Sequence, residues 1–124
     1  MNKRKRLPED VKQTCLWLAK GYQRRMQVYR AGGYIANGRG NGKSTKAAKE
    51  VERMMAVERA LMSVGGDIES DELREQLRTA MMLNIESGRQ YPYEKLQLDS
   101  ISRSDFYRRK EKFLEDIATR MDLL

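Results

Sequence analysis

Residues 100–118, SISRSDFYRRKEKFLEDIA, decide how the rest of the chain is read, because they write a capped helix with an apolar back and a basic front. Ser102 stands as N-cap, Asp105 sits at the third helical position where a capping-box partner belongs, and Ile101 and Phe106 hold the staple positions. The helix is expected to begin at Arg103 and to fill a span of about 102–121. At about 100° per residue, Phe113, Ile117 and Leu124 share a narrow arc with Phe106, and Leu114 and Met121 lie at its edge. The opposite side carries Ser104, Arg108, Glu111, Lys112 and Glu115, with Arg103 and Tyr107 on the flanks.

A helix that reads DNA from the major groove touches bases mainly with its N-terminal residues, where Arg bonds guanine bidentately and Ser donates or accepts. Arg103, Ser104, Tyr107, Arg108 and Lys112 are therefore the candidate groove contacts. The same residues also fit a solvated basic face on a surface helix, and the cap does not choose between the two.

Tyr91-Pro-Tyr-Glu-Lys-Leu96, followed by the run from Ile101 to Phe113, resembles the C-terminal part of phage and prophage transcriptional regulators of the RinA/ArpU kind. Those proteins are similar to region four of bacterial sigma factors, a helix-turn-helix. The resemblance covers about the last third of the chain and is a match of motif. It implies DNA binding, Ser102 to Glu115 as the recognition helix, Pro92 to Leu98 as the helix before the turn, and contact with RNA polymerase. The Pro92 to Leu98 segment is short and lacks the small residue that lets two such helices approach closely.

The 124 residues suit one domain with a real core. A formal charge of +7 favours a polyanionic partner, because each neutralised phosphate releases counterions. That charge is N-terminal: residues 1–49 hold 13 Lys/Arg against 2 acids, whereas residues 50–100 hold 6 against 11. With no His and a single Cys, imidazole acid-base chemistry and a zinc or iron site are excluded, and metal-dependent hydrolysis has only carboxylates to rest on. Cys15 lies among Val11, Leu18 and Tyr22 at helical spacing and reads as a small buried hydrophobe in a reducing cytosol. The opening basic arm, residues 1–7, is not followed by an apolar run of secretory length, and no window approaches a membrane span, so a cytoplasmic protein is expected.

Pro8, Glu9 and Asp10 mark a helix start, and Val11, Cys15, Leu18, Tyr22, Met26 and Tyr29 keep one face of a helix expected over residues 8–30. Leu16 and Trp17 fall off that face and call for a second contact, either another helix or a partner subunit such as a second copy. Residues 31–43 include Gly32, Gly33, Gly38, Gly40 and Gly42, a composition that reads as a flexible connector.

The end of that connector, Asn37-Gly-Arg-Gly-Asn-Gly-Lys-Ser44, nearly spells a phosphate-binding P-loop, but Asn37 replaces the first glycine. No buried strand precedes it and no acidic strand end follows, which argues against nucleotide hydrolysis. Arg39, Lys43 and Lys46 can still meet a DNA backbone, as can Lys3, Arg4, Lys5 and Arg6 in the arm; a mobile linker with solvating charges is the alternative.

Residues 44–88 are expected to form an antiparallel hairpin. One helix is capped by Ser44 or Thr45 and carries Val51, Met54, Met55, Leu61 and Met62. It ends at Gly65-Gly66, and Ser70 opens another with Leu73, Leu77, Ala80, Met81 and Ile85. Residues 89–124 complete the helix-turn-helix, and no strand signal competes, so the chain reads as a small all-α domain.

The leading functional expectation is a sequence-specific transcriptional regulator of phage or prophage type bound to double-stranded DNA. The alternatives are a DNA-packaging subunit resembling a small terminase, and a helical protein-interaction module supported by Leu16, Trp17 and the methionines. No enzyme is expected, since there is no nucleophile with an evident base, no cofactor fingerprint and no carboxylate pair in an apolar setting.

Overall fold

A computed structural model describes residues 7–34 and 41–124, giving the backbone alone for residues 41–45. The described chain is all-α: α1 (Glu9–Lys20), α2 (Tyr22–Arg30), α3 (Asn41–Ser63), α4 (Asp71–Glu86) and α5 (Arg103–Arg120), with one 3₁₀ turn at Tyr93–Lys95 and no strand. The basic arm through Arg6 and residues 35–40 of the glycine-rich connector lie outside the described residues.

Helix α1 starts as its sequence directs, with Pro8 at the N-cap, Glu9 and Asp10 facing the positive helix end, and Lys12 N–H donating to the Pro8 carbonyl at 2.9 Å. The single helix expected over residues 8–30 is instead parted at Gly21. The Arg25 guanidinium folds back across the glycine, so that a Cβ there would lie 2.5 Å from Arg25 Nη1. Nη1 donates to the Leu18 carbonyl at 3.1 Å, an acceptor that an unbroken helix gives to a backbone amide. A side chain thus replaces one rung of the ladder, and glycine provides the space.

Helix α1 is the centre of the packing: α2, α3, α4 and α5 all rest on it. Cys15, Leu18 and Ala19 are buried there, joined by Tyr22 and Met26 from α2, Met54, Val57, Ala60 and Val64 from α3, and Leu77, Met81 and Ile85 from α4. Tyr29, assigned from its spacing to the same face, is half exposed at the end of α2.

The expected hairpin does not form as a paired unit. Helix α3 packs against α2 and α5 and α4 against α1, while the two scarcely touch beyond the turn that joins them. The reason is where their apolar residues face: the inward row of α3 is Met54, Val57, Ala60 and Val64, which meets α1, α2 and α5, and leaves Met62 exposed. Gly65, at φ +78°, ends α3 in the left-handed conformation, and Arg78 of α4 donates to the free carbonyls of Val64 and Met62 at 3.1 and 2.7 Å. Ser70 caps α4, accepting from Leu73 N–H at 3.1 Å.

Before α5, the segment aligned with the first helix of a helix-turn-helix, Pro92 to Leu98, makes only the Tyr93–Lys95 turn. Leu96 and Leu98 are both buried, and Gln97 between them takes φ +56°, a reversal that no continuing helix accommodates. Tyr93 braces this approach: its ring stands 5.9 Å from Phe106, and its hydroxyl donates to the Ile101 carbonyl.

Helix α5 ends at Arg120 in a Schellman turn. Asp122 takes φ +58°, its N–H bonds the Thr119 carbonyl at 3.2 Å, and Leu123 N–H bonds the Ala118 carbonyl at 2.9 Å. The chain reverses there, so Leu123 packs on the core and Leu124, placed with the inward stripe by spacing alone, stands 68% exposed.

Candidate nucleic-acid interface

At the start of α5 the Ser102 cap and the Ile101–Phe106 staple follow the sequence, whereas the Asp105 carboxylate, expected to complete a capping box, accepts from Arg108 and Arg109 instead. Ser102 Oγ accepts from Asp105 N–H at 3.1 Å, and Ile101 and Phe106 are both buried at the staple positions. Behind them Phe106, Phe113, Leu114, Ile117 and Ala118 make the buried back of the helix. Two fully buried Phe side chains on one helix contribute roughly 1.5–3 kcal/mol each, which fixes the rotation of α5 and hence which residues face outward.

Ser104, Arg108 and Lys112, spaced four apart, form an exposed row, and Arg103 is exposed at its start. Arg103 Nε donates to Glu94 on the 3₁₀ turn at 3.0 Å, and its guanidinium carbon lies 5.3 Å from the Tyr107 ring centroid. Arg108 Nη2 donates to Asp105 at 2.5 Å while its side chain remains 65% exposed. Tyr107 is more inward than its sequence position implies, half-buried and edge-on to Phe106 with centroids 5.2 Å apart. The structure thus brings Arg103, Ser104, Arg108 and Lys112 onto one front and sets Tyr107 at its rim. Lys3, Arg4, Lys5, Arg6 and Arg39 lie outside the described residues, as does the side chain of Lys43.

Two further residues shape the front. Arg109, on the flank, donates from Nη1 and Nη2 to the two carboxylate oxygens of Asp67, each at 2.8 Å, and from Nε to Asp105 at 3.2 Å. The hydrogen bonds from Arg109 hold the Asp67 carboxyl at about 2, below its ordinary 3.8. At Asp105 burial opposes ionisation, but hydrogen bonds from Arg108 and Arg109 prevail and keep the carboxyl below its usual range. This bidentate clamp ties the α3–α4 turn to α5 and borders a cleft lined by Ser63, Gly66, Asp67, Arg108, Arg109 and Lys112.

On the other flank Lys110 Nζ donates to Asn84 Oδ1 at 2.8 Å. Burial, with Lys12 and Lys20 nearby, pushes its ammonium below the usual lysine value. Asn84 is itself buried and donates to the Tyr91 carbonyl at 2.9 Å, joining α4, α5 and the intervening loop. Periodicity does not mark Arg109 or Lys110, because Asp67 and Asn84 lie 42 and 26 positions from them.

Cys15 is fully buried and burial pushes its thiol up to about 11, so it is no nucleophile. Among the described residues no helix is long and apolar enough to cross a membrane. No protein-family model, no curated protein and no solved structure matches this chain.

Proposed function

We propose that the chain is a sequence-specific DNA-binding transcriptional regulator of phage or prophage type, with the first turns of α5 in the major groove. One observation carries the reading: Ser104 and Arg108 stand clear of the protein's own body while Phe106 and Phe113 of the same helix are fully buried. The front is exposed because the back is locked.

The ion pairs on that front do not disable it. Pairs open to solvent contribute roughly 0.2–1 kcal/mol, and the Arg108 side chain is 65% exposed, so little holds it from turning to a base edge. The short 3₁₀ turn offers little of a second helix to lie across the DNA backbone. Phosphate contacts therefore fall to Lys112 and Arg103 and, outside the described residues, to Lys3 to Arg6 and the connector. On this reading the protein works in the cytoplasm of a bacterial host, and the resemblance to sigma region four extends the proposal to RNA polymerase.

Selection of bound fragments from a random DNA pool at about 0.15 M salt tests the proposal. An enriched motif is expected, and Arg108→Ala should weaken binding to that motif by about 1–3 kcal/mol while changing non-specific binding little. A pool that stays random after selection rejects the reading, and equal losses on all sequences reduce Arg108 to a phosphate contact.

A further inference from the structure

A second face of the molecule, where α1, α2 and α3 meet, combines an exposed aromatic ring with positive charge. Trp17 is the chain's only tryptophan, and it is 54% exposed. The Arg25 guanidinium carbon lies 4.9 Å from its ring centroid and, being wholly buried, sits on the inner side of the indole. Arg53 approaches the same ring from α3 at 5.7 Å and is itself 37% exposed. Lys49 and Lys46 extend that side of α3 outward by one and two turns, and both are exposed. Arg24 on α2 is exposed as well.

The acid drawn into this cluster is Glu50, already engaged by Arg53 at 2.7 Å and Arg25 at 3.5 Å. Positive charge therefore accumulates around the ring. Arg25 Nε and Nη2 are buried without hydrogen-bond partners, and the indole ring and Glu50 are what compensate that guanidinium. An exposed indole with Arg53 beside it and Lys49, Lys46 and Arg24 on the same helices matches the chemistry of a single strand, whose unpaired bases have free π faces and whose phosphates need cations. A duplex hides its base faces in the stack.

We propose that this face binds single-stranded nucleic acid, with an unpaired base stacked on the outer side of Trp17 beside Arg53 and the adjoining phosphates on Lys49, Lys46 and Arg24. It draws on helices other than α5 and holds whether or not α5 reads duplex DNA.

The full chain carries its own reporter, since Trp17 alone supplies indole fluorescence. Short oligothymidine at about 0.15 M salt should quench it, whereas an abasic strand of the same length should bind more weakly and leave emission unchanged. Trp17→Leu should weaken oligothymidine binding about 5- to 100-fold by anisotropy of a labelled strand, and Trp17→Phe, which keeps a stacking ring over Arg25, should restore most of it. Arg108→Ala should leave the quenching intact, separating this face from α5. Three results each overturn the proposal: equal affinity for the abasic strand, quenching by duplex or by polyglutamate as strong as by oligothymidine, or a Trp17→Phe variant as weak as Trp17→Leu in a protein whose circular dichroism shows it folded.

Discussion

The front of α5 and the Trp17 face both gather arginine, but they treat it in opposite ways. On α5 the guanidinium groups are held by carboxylates: Arg103 by Glu94, Arg108 by Asp105, and Arg109 by Asp67 and Asp105 together. Around Trp17, Arg25 and Arg53 share Glu50, and one of the two is fully enclosed. Carboxylates that orient a cation reduce its long-range pull and sharpen its geometry, which suits discrimination between sites. Cations crowded about one acid keep their pull and suit general affinity for a polyanion. On the two proposals above, the molecule would divide the two requirements between surfaces.

Removal of Arg25 is the harshest break of that contrast. Arg25→Ala should lower stability by about 3 kcal/mol or more, because it leaves Glu50 without a buried partner and opens a void under Trp17. Urea unfolding measures this, and a loss below about 1 kcal/mol would show that the guanidinium is held less tightly than its surroundings indicate.

Gly21→Ala is next, and its sign is diagnostic. Helix propensity alone favours alanine by about 1 kcal/mol, whereas the new methyl would meet Arg25 Nη1 at 2.5 Å. Net destabilisation of roughly 1–2 kcal/mol is expected, with Tm falling accordingly. A rise in Tm would mean that Arg25 moves aside freely and that the α1–α2 break has another cause.

The smallest effect belongs to the α5 side. Asp67 is ionised far below the ordinary value of 3.8, so its contribution is fully present above that value and is lost as pH falls through about 2. Carbon-13 resonances of the Asp67 carboxyl should titrate near 2, and Asp67→Asn should remove part of the stability loss between those two pH values. Titration at the ordinary value would mean that the clamp to Arg109 is open in solution.

What sequence made visible was local. The Ser102 cap, the Ile101–Phe106 staple and the stripe through Phe113 and Ile117 each involve residues within a few turns of one another, and each is in place. The all-α class followed from the same kind of signal. The misreadings had non-local or atypical causes. Gly21 looks like an interior helix position until the Arg25 guanidinium occupies its Cβ site. Val57, Ala60 and Val64 stand out less in the sequence than the larger methionines, yet all three are buried. Leu124 was misplaced because Asp122, rather than glycine, makes the left-handed turn that ends α5. The Arg109–Asp67 clamp links residues that share no periodicity and becomes visible only once α3 and α4 diverge.

Arg78 gives that divergence a dynamic consequence. By donating from α4 to the Val64 and Met62 carbonyls, it makes the final turn of α3 depend on a side chain rooted one helix later. Fraying at the foot of α3 must break these bonds, so amide hydrogens there should exchange in step with those of the first turns of α4. The junction of the two helices would then open as one unit, although their backbones approach each other little elsewhere.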